Sequence, residues 1–175
     1  MQIETRVHPE ALFIRSATLA DIDDILATQH SAPEAAQWPR DAYTEALTHC
    51  AHQTQGLQRI VLCALQNHRV VGFAVGSRLA IGETTECELE NMAVHPDHRR
   101  CGWGGKLAKA ILAWCGEQSA TQVRLEVRAS NVAAIELYEN LRFKIAGRRK
   151  HYYAHPAEDA VLMVWTPAES LSPEV

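Results

Sequence analysis

Apolar and polar positions at the start of the chain predict a short strand followed by a helix. Residues 11–17 (ALFIRSA) are typical of a strand, and Thr18 with Asp21 fits a capping box that opens a helix. The apolar stripe of that helix is Ile22, Ile25 and Leu26. Residues 31–38 then have the composition of a loop.

A second helix and three strands follow this loop. Pro39 suits the first turn of the helix, which we expect to run to about His52. The segments that predict strands are residues 59–65, 70–79 and 85–94. The polar stretch between the first two, residues 66–69, is suited to a hairpin turn.

Helices alternate with strands in the second half. After a loop marked by Gly102, Gly104 and Gly105, the apolar positions Leu107, Ile111 and Trp114 define one face of a helix that starts near Lys106. Residues 121–128 alternate like a strand, and Asn131 is a suitable N-cap for a further helix. The last predicted strands are residues 143–149 and 159–164.

The resulting order is β-α-α-β-β-β-α-β-α-β-β, which predicts one mixed α/β domain with a largely antiparallel sheet. We expect this domain to cover residues 11–166, between an arm at residues 1–10 and a tail at residues 167–175. The 17 Lys and Arg residues against 21 Asp and Glu argue against nucleic acid or an anionic membrane as the main partner. No apolar run approaches the ~20 residues of a membrane span.

The cysteines and histidines favour a reducing compartment and no metal. The five cysteines are odd in number and widely spaced, and the N-terminus has no apolar export segment, so we expect a cytoplasmic protein without a disulfide framework. The pairs His49/His52 and His95/His98 have no nearby cysteine or carboxylate pattern that would complete a metal site.

The segment from Arg99 to Lys106 (RRCGWGGK) is the sharpest motif in the chain. Glycines directly before a helix let backbone N–H groups converge at its positive end, which favours a pyrophosphate. The alternative is a simple connecting loop. Arg100 stands where a Walker loop needs its first glycine, and Leu107 stands where a dinucleotide fingerprint needs its third glycine. The segment therefore matches neither of these phosphate-binding motifs.

The pattern Arg99-x-x-Gly102-x-Gly104 resembles the coenzyme A loop of the GNAT superfamily of N-acetyltransferases. Residues 91–97 (NMAVHPD), 125–131 (LEVRASN) and 148–153 (RRKHYY) are similar to one branch, the bacterial ribosomal protein alanine N-acetyltransferases. The resemblance is close over residues 84–165 and covers residues 11–83 in outline. It implies a GNAT-like sheet of six to seven strands flanked by about four helices.

The resemblance also implies acetyl-CoA as co-substrate and a set of residues that bind it. Backbone groups of Arg100, Cys101, Gly102, Trp103, Gly104 and Gly105 would hold the pyrophosphate, and Met92, Ala93 and Val94 would run beside the pantetheine arm. Asn131 could bind the coenzyme or act only as the helix cap. No histidine is arranged to make Cys101 a covalent nucleophile.

By the same resemblance, Glu126 is the general base and Tyr138 the general acid. An α-amine of pKa about 8 needs only a modest base, and a phenol of pKa about 10 can re-protonate a thiolate. Alternatively, Glu126 pairs with Arg124 or Arg128 on the strand surface, and Tyr138 only packs in the core. Glu88 and Glu90, two apart on the preceding strand, compete as the base.

The expected activity is acetyl transfer to the N-terminal amine of a ribosomal protein, with alanine as the acceptor residue. Alternatives are a small-molecule amine as acceptor, or a coenzyme A-binding regulator without turnover. The basic and aromatic cluster at residues 148–153 could contact RNA; bordering a peptide cleft is the preferred interpretation, with Tyr152 and Tyr153 on the substrate side. In the N-terminal half, residues 35–39 (AAQWP) depart from the branch, which tends to have Pro before Trp.

Overall fold

Seven strands form one sheet in the computed structural model, which describes residues 12–48 and 56–167. The strands are β1 (Leu12–Ser16), β2 (Leu57–Gln66), β3 (Arg69–Ile81), β4 (Thr84–Val94), β5 (Gln122–Arg128), β6 (Lys144–Ala154) and β7 (Ala157–Trp165). Their order is β1-β2-β3-β4-β5-β7-β6, and β4 and β5 are the one parallel pair among them.

Four α-helices flank the sheet over the described ranges: α1 (Ile22–His30), α2 (Arg40–Thr48), α3 (Trp103–Glu117) and α4 (Val132–Asn140). The predicted mixed α/β fold with a mostly antiparallel sheet is confirmed. The predicted arm at residues 1–10, most of the predicted tail and the predicted end of the second helix at His52 lie outside the described residues.

The start of α3 differs from the prediction. The helix begins at Trp103 and not near Lys106, so Gly104 and Gly105 belong to its first turn. The first turn of a helix is still open, because its N–H groups have no intrahelical partner. The repeating apolar positions can therefore begin one turn after the helix itself. The strands β6 and β7 also run further than predicted, because they stay paired up to the turn at Pro156.

The 3₁₀ turn Leu19–Asp21, which leads into α1, is fixed by the Asp21 side chain. Its carboxylate accepts hydrogen bonds from the Thr18 N–H (2.7 Å) and the Thr18 hydroxyl (2.9 Å), and both terminal nitrogens of Arg15 donate to it at 2.8 Å. The carboxylate is thus the acceptor for the predicted capping pair. The Arg15 hydrogen bonds hold the pKa of Asp21 well below its usual value.

Each face of the sheet has its own core. On one face, α3 and α4 cover a cluster that includes Leu107, Leu125 and Met163. On the other face, α1 and α2 cover a second cluster that includes Ile25 and Phe73.

A β-bulge in β4 changes which core its side chains reach. Val75 pairs with Asn91 and Gly76 with Leu89, so Glu90 is the extra residue. Before the bulge Leu89 packs in the α3 core, whereas after it Ala93 packs in the α1 core and Met92 turns to the α3 core. Side chains of β4 that follow Glu90 therefore point to the opposite face of the sheet from the one that simple alternation would give them.

Candidate active site

A cleft of about 620 Å³ opens where β4 and β5 part. The two strands are paired from Glu86↔Gln122 to Leu89↔Leu125, and beyond that point β5 pairs only with β7 on its other side. The edge of β4 after Leu89 has no partner strand in the described part of the chain. Extended ligand backbone could therefore pair with it.

One end of the cleft is built to hold an anion. Gly102 adopts φ +82° and is the N-cap of α3, a left-handed conformation that favours glycine. The first intrahelical hydrogen bond runs from the Lys106 N–H to the Gly102 carbonyl (3.0 Å). The N–H groups of Trp103, Gly104 and Gly105 precede it, so they and the helix dipole are available to a phosphate.

Most of the predicted coenzyme residues line this cleft. They are Met92, Ala93, Val94, Arg100, Gly102, Trp103, Gly104, Gly105 and Asn131. The side chains of Ala93 and Trp103 are buried in the cores, so these two offer mainly backbone atoms to the cleft. A Cβ on Gly104 would lie 3.2 Å from Leu137 Cδ2, which shows how closely α4 approaches this turn.

Cys101 and Asn131 differ from the other predicted coenzyme-binding residues. Cys101 is exposed and is not among the residues that line the cleft. Asn131 lines the cleft, and its Oδ1 also accepts the Ala134 N–H at 3.2 Å as the cap of α4. Both interpretations of Asn131 therefore stay open.

Glu126 of β5 lines the cleft, and its ion-pair partner is neither of the arginines considered as the alternative. Arg149 on β6 donates to it at 2.6 Å, while Arg124 pairs with Glu86 and Arg128 with Glu158. The alternative pairing of Glu126 with Arg124 or Arg128 is not observed, because both arginines pair with glutamates of neighbouring strands.

Two tyrosines of β6 line the same side of the cleft as Glu126. The Arg149 guanidinium lies 4.1 Å from the Tyr152 ring centre, and the Arg128 guanidinium lies 4.0 Å from that of Tyr153. Interaction with the Glu126 carboxylate, chiefly by hydrogen bonding, raises the pKa of Tyr152.

Glu88 and Glu90 both line the cleft but differ in their partners. Arg59 donates to Glu90 through two nitrogens, at 2.7 and 3.0 Å. Glu88 has no ion pair within the described ranges. Partial desolvation in the cleft and the negative charges of Glu90 and Glu126 raise the pKa of Glu88. Glu88 is thus a stronger proton acceptor than an isolated glutamate.

Tyr138 is buried but reaches the cleft. Its ring packs against Phe143 with the ring centres 5.7 Å apart, and it is among the cleft-lining residues. No described residue hydrogen-bonds to its hydroxyl, and burial raises its pKa. The phenol therefore stays protonated near neutral pH and has a proton to donate.

The loop between α1 and α2 forms the opposite wall. Ala35, Ala36 and Trp38 line the cleft, and Trp38 packs on Tyr43 with ring centres 5.5 Å apart. Glu34 of this loop forms an ion pair with Arg99 of the glycine loop at 2.5 Å, which joins the two sides of the cleft.

Sequence reasoning missed several contacts around the cleft. It did not foresee Arg149 on Glu126, or the buried hydrogen bonds of Gln29 and Asn91 with the α1–α2 loop. For Gln29 a signal was present: it follows Ile25 by four residues and is therefore a polar residue on the apolar stripe of α1.

The described residues carry neither a metal-binding cluster nor a membrane-spanning helix. No group of three or more His, Cys, Asp or Glu side chains there is placed to hold a metal ion. None of the helices in these ranges has the length and apolar character needed to cross a membrane.

Known proteins similar to this chain include N-acetyltransferases. The family model described as "Acetyltransferase (GNAT) family" matches residues 19–143. The [ribosomal protein bS18]-alanine N-acetyltransferase of Escherichia coli K12 is 34% identical over 142 residues, which span 80% of this chain and 89% of the relative.

Solved structures agree with this result. The E. coli ribosomal-protein-S18-alanine N-acetyltransferase superposes with a TM-score of 0.68 at 28% identity, covering 92% of this chain and 99% of its own. Ard1 of Thermoplasma volcanium superposes with a TM-score of 0.75 at 27% identity, covering 91% and 99%.

Proposed function

Because the chain belongs to the acetyltransferase (GNAT) family, we propose that it transfers the acetyl group of acetyl-CoA to the N-terminal α-amine of a ribosomal protein, with alanine as the acceptor residue. The observation that carries the proposal is the parting of β4 and β5. It brings a phosphate-binding helix start, an unpaired strand edge, a carboxylate and a protonated phenol into one cleft.

The coenzyme would bind along one side of this cleft. Free N–H groups at the start of α3 would hold the pyrophosphate, and the pantetheine arm would pair with β4 at Met92 to Val94. An N–H on that edge would donate to the oxygen of the thioester carbonyl as it becomes negative. No metal is required for this chemistry.

Acetyl transfer would then need two proton movements. Glu126 would accept a proton from the acceptor α-amine, directly or through water, as the nitrogen attacks the thioester carbonyl. The carbon–sulfur bond breaks, and Tyr138 would give its proton to the departing thiolate. Glu88, with its raised pKa and no ion pair in the described part of the chain, is the competing proton acceptor.

The choice of acceptor rests on the relatives and on the walls of the cleft. The names of two relatives describe them as N-acetyltransferases of an alanine in a ribosomal protein. Trp38 on one side and Tyr152 and Tyr153 on the other form aromatic walls, which suit an extended peptide better than a small polyamine. We expect the enzyme to work in a reducing cytoplasm, since Cys63, Cys87, Cys101 and Cys115 are free.

The test is to map the acetyl group by mass spectrometry on a peptide that starts with alanine and copies the N-terminus of the ribosomal protein. Acetylation is expected on the α-amine. Blocking that amine should abolish the reaction, while replacing internal lysines should not. Faster turnover of spermidine or an aminoglycoside at equal concentration would contradict the proposal.

A further inference from the structure

We propose that Gln29, Tyr43 and Asn91 form a positioning unit that fixes the α1–α2 loop and thereby controls binding of the acceptor, and not of the coenzyme. The inference deepens the proposed function and rests on it for the identity of the acceptor. All three side chains are buried, at 1%, 0% and 4% exposure. They come from α1, α2 and β4, and they meet behind the wall of the cleft.

Gln29 acts as a substitute for a backbone partner. Its Nε2 donates to the Trp38 carbonyl and its Oε1 accepts the Trp38 N–H, both at 3.0 Å. In a sheet, a neighbouring strand would supply these two hydrogen bonds to the backbone of Trp38. Here the side chain of a helix residue supplies both. The position of Trp38 is therefore tied to α1.

Asn91 links the same loop to the sheet. Its Nδ2 donates to the Ala36 carbonyl at 2.9 Å and to the Tyr43 hydroxyl at 3.1 Å. The Tyr43 hydroxyl in turn donates to Gln29 Oε1. The backbone of the loop is thus held at Ala36 and at Trp38 by one connected network.

Asn91 also keeps an unfavourable atom. Its Oδ1 is buried and has no hydrogen-bond partner among the described residues. The two hydrogen bonds from Nδ2 offset that cost, whereas a leucine of similar size would leave the Ala36 carbonyl without its donor. Asn91 follows the bulge residue Glu90 and lines the cleft, which indicates a role in shaping it.

The hydrogen bonds of the network all end within one wall of the cleft. Trp38 packs on Tyr43, and the Arg59 guanidinium, which is bound to Glu90, lies 5.8 Å from the Trp38 ring centre. None of the hydrogen bonds of the network reaches the glycine loop at residues 99–105, which the α1–α2 loop contacts through one partly exposed ion pair, Glu34 with Arg99, of a kind that is individually weak. Loosening the network should therefore alter the acceptor site selectively.

The experiment compares Asn91→Leu with Val75→Ala. Val75 is the cross-strand partner of Asn91 and equally buried, but its side chain makes none of the loop hydrogen bonds. Asn91→Leu should raise the KM of the acceptor peptide by about tenfold, or about 1.4 kcal/mol, with kcat and the Kd of acetyl-CoA little changed. Tyr43→Phe, which removes one link only, should shift KM in the same direction by less.

Hydrogen exchange tests the unit without relying on any acceptor. In Asn91→Leu the Trp38 amide should exchange about tenfold faster, while exchange at residues 99–105 stays as in the wild type. Failure of the wild type to acetylate the peptide would refute the proposed function. The exchange result would still show whether Gln29, Tyr43 and Asn91 fix the α1–α2 loop. Unchanged exchange at Trp38, a parallel loss of coenzyme affinity, or an equal KM change in Val75→Ala would overturn the inference.

Discussion

The assignment of Glu126 as the base predicts a large and specific loss in Glu126→Gln. The substitution keeps the shape of the side chain and removes its ability to take a proton. A general base contributes roughly 10²–10⁴-fold, so kcat should fall by that factor, or about 2.7–5.4 kcal/mol of transition-state free energy. The ion-pair partner Arg149 is exposed, and we therefore expect the variant to fold normally.

Glu88→Gln should behave differently, because the raised pKa of Glu88 means that the fold disfavours its charge. A carboxyl with a pKa raised by folding costs stability when ionised, and that cost disappears as the pH falls through the raised pKa. Glu88→Gln should therefore raise Tm at about pH 8, with no gain near about pH 4. Its loss of kcat should remain below about tenfold if Glu126 is the base.

The assay measures thiol release at saturating peptide and acetyl-CoA, with coenzyme affinity determined by calorimetry. Glu136→Gln is the matched control, since Glu136 also lines the cleft and has no ion pair in the described ranges. In Glu126→Gln the rate should recover as the pH rises past about 8, where the α-amine loses its proton unaided. A near-normal rate in Glu126→Gln together with a large loss in Glu88→Gln would refute the assignment and move the base to β4.

Three further predictions test the coenzyme loop, the acid and the fold. Gly104→Asp should weaken acetyl-CoA binding by about tenfold or more, because it places a carboxylate at the phosphate site. Gly104→Ala brings a Cβ equally close to Leu137, at 3.2 Å, but should weaken binding far less. Equal losses of affinity by calorimetry in the two variants would contradict this prediction. Tyr138→Phe should lower kcat and leave coenzyme affinity intact, and an unchanged kcat would leave Tyr138 with a packing role only. Asp21→Asn should lower Tm at pH 7, and this deficit should begin to shrink only below about pH 3.9. The depressed pKa of Asp21 gives stability that is complete above its ordinary pKa and is lost as the pH falls toward the folded value, so a deficit that does not shrink with falling pH would refute the role of the Arg15 pair.

The element order was predictable because strand and helix periods are local properties of the sequence. Val123, Leu125 and Val127 alternate with polar residues, and they are the buried face of β5. The start of α3 was placed three residues late for a local reason as well. Gly104 and Gly105 are poor helix formers, but in a first turn beside a closely packed Leu137 a small residue fits well.

The side-chain contacts of the site were not predictable in the same way. Arg149 lies 23 residues from Glu126, and Asn91 lies 55 residues from Ala36, so each contact depends on strand order and on register. The bulge at Glu90 adds a further difficulty, because it changes the facing of every later residue of β4. Alternation counted along the sequence assigns these residues to the wrong face.

Under the proposed function, that one extra residue would let a single strand serve both substrates. Without the bulge, Leu89, Asn91 and Ala93 would share a face, and the α3 core would receive all three. With it, Leu89 and Met92 pack toward α3, while Asn91 reaches Tyr43 and the α1–α2 loop. The strand edge beside the coenzyme loop and the support of the acceptor wall therefore come from adjacent residues of β4. A bulge also increases the local twist of a strand, and β4 separates from β5 directly after Leu89, at the position where the bulge begins.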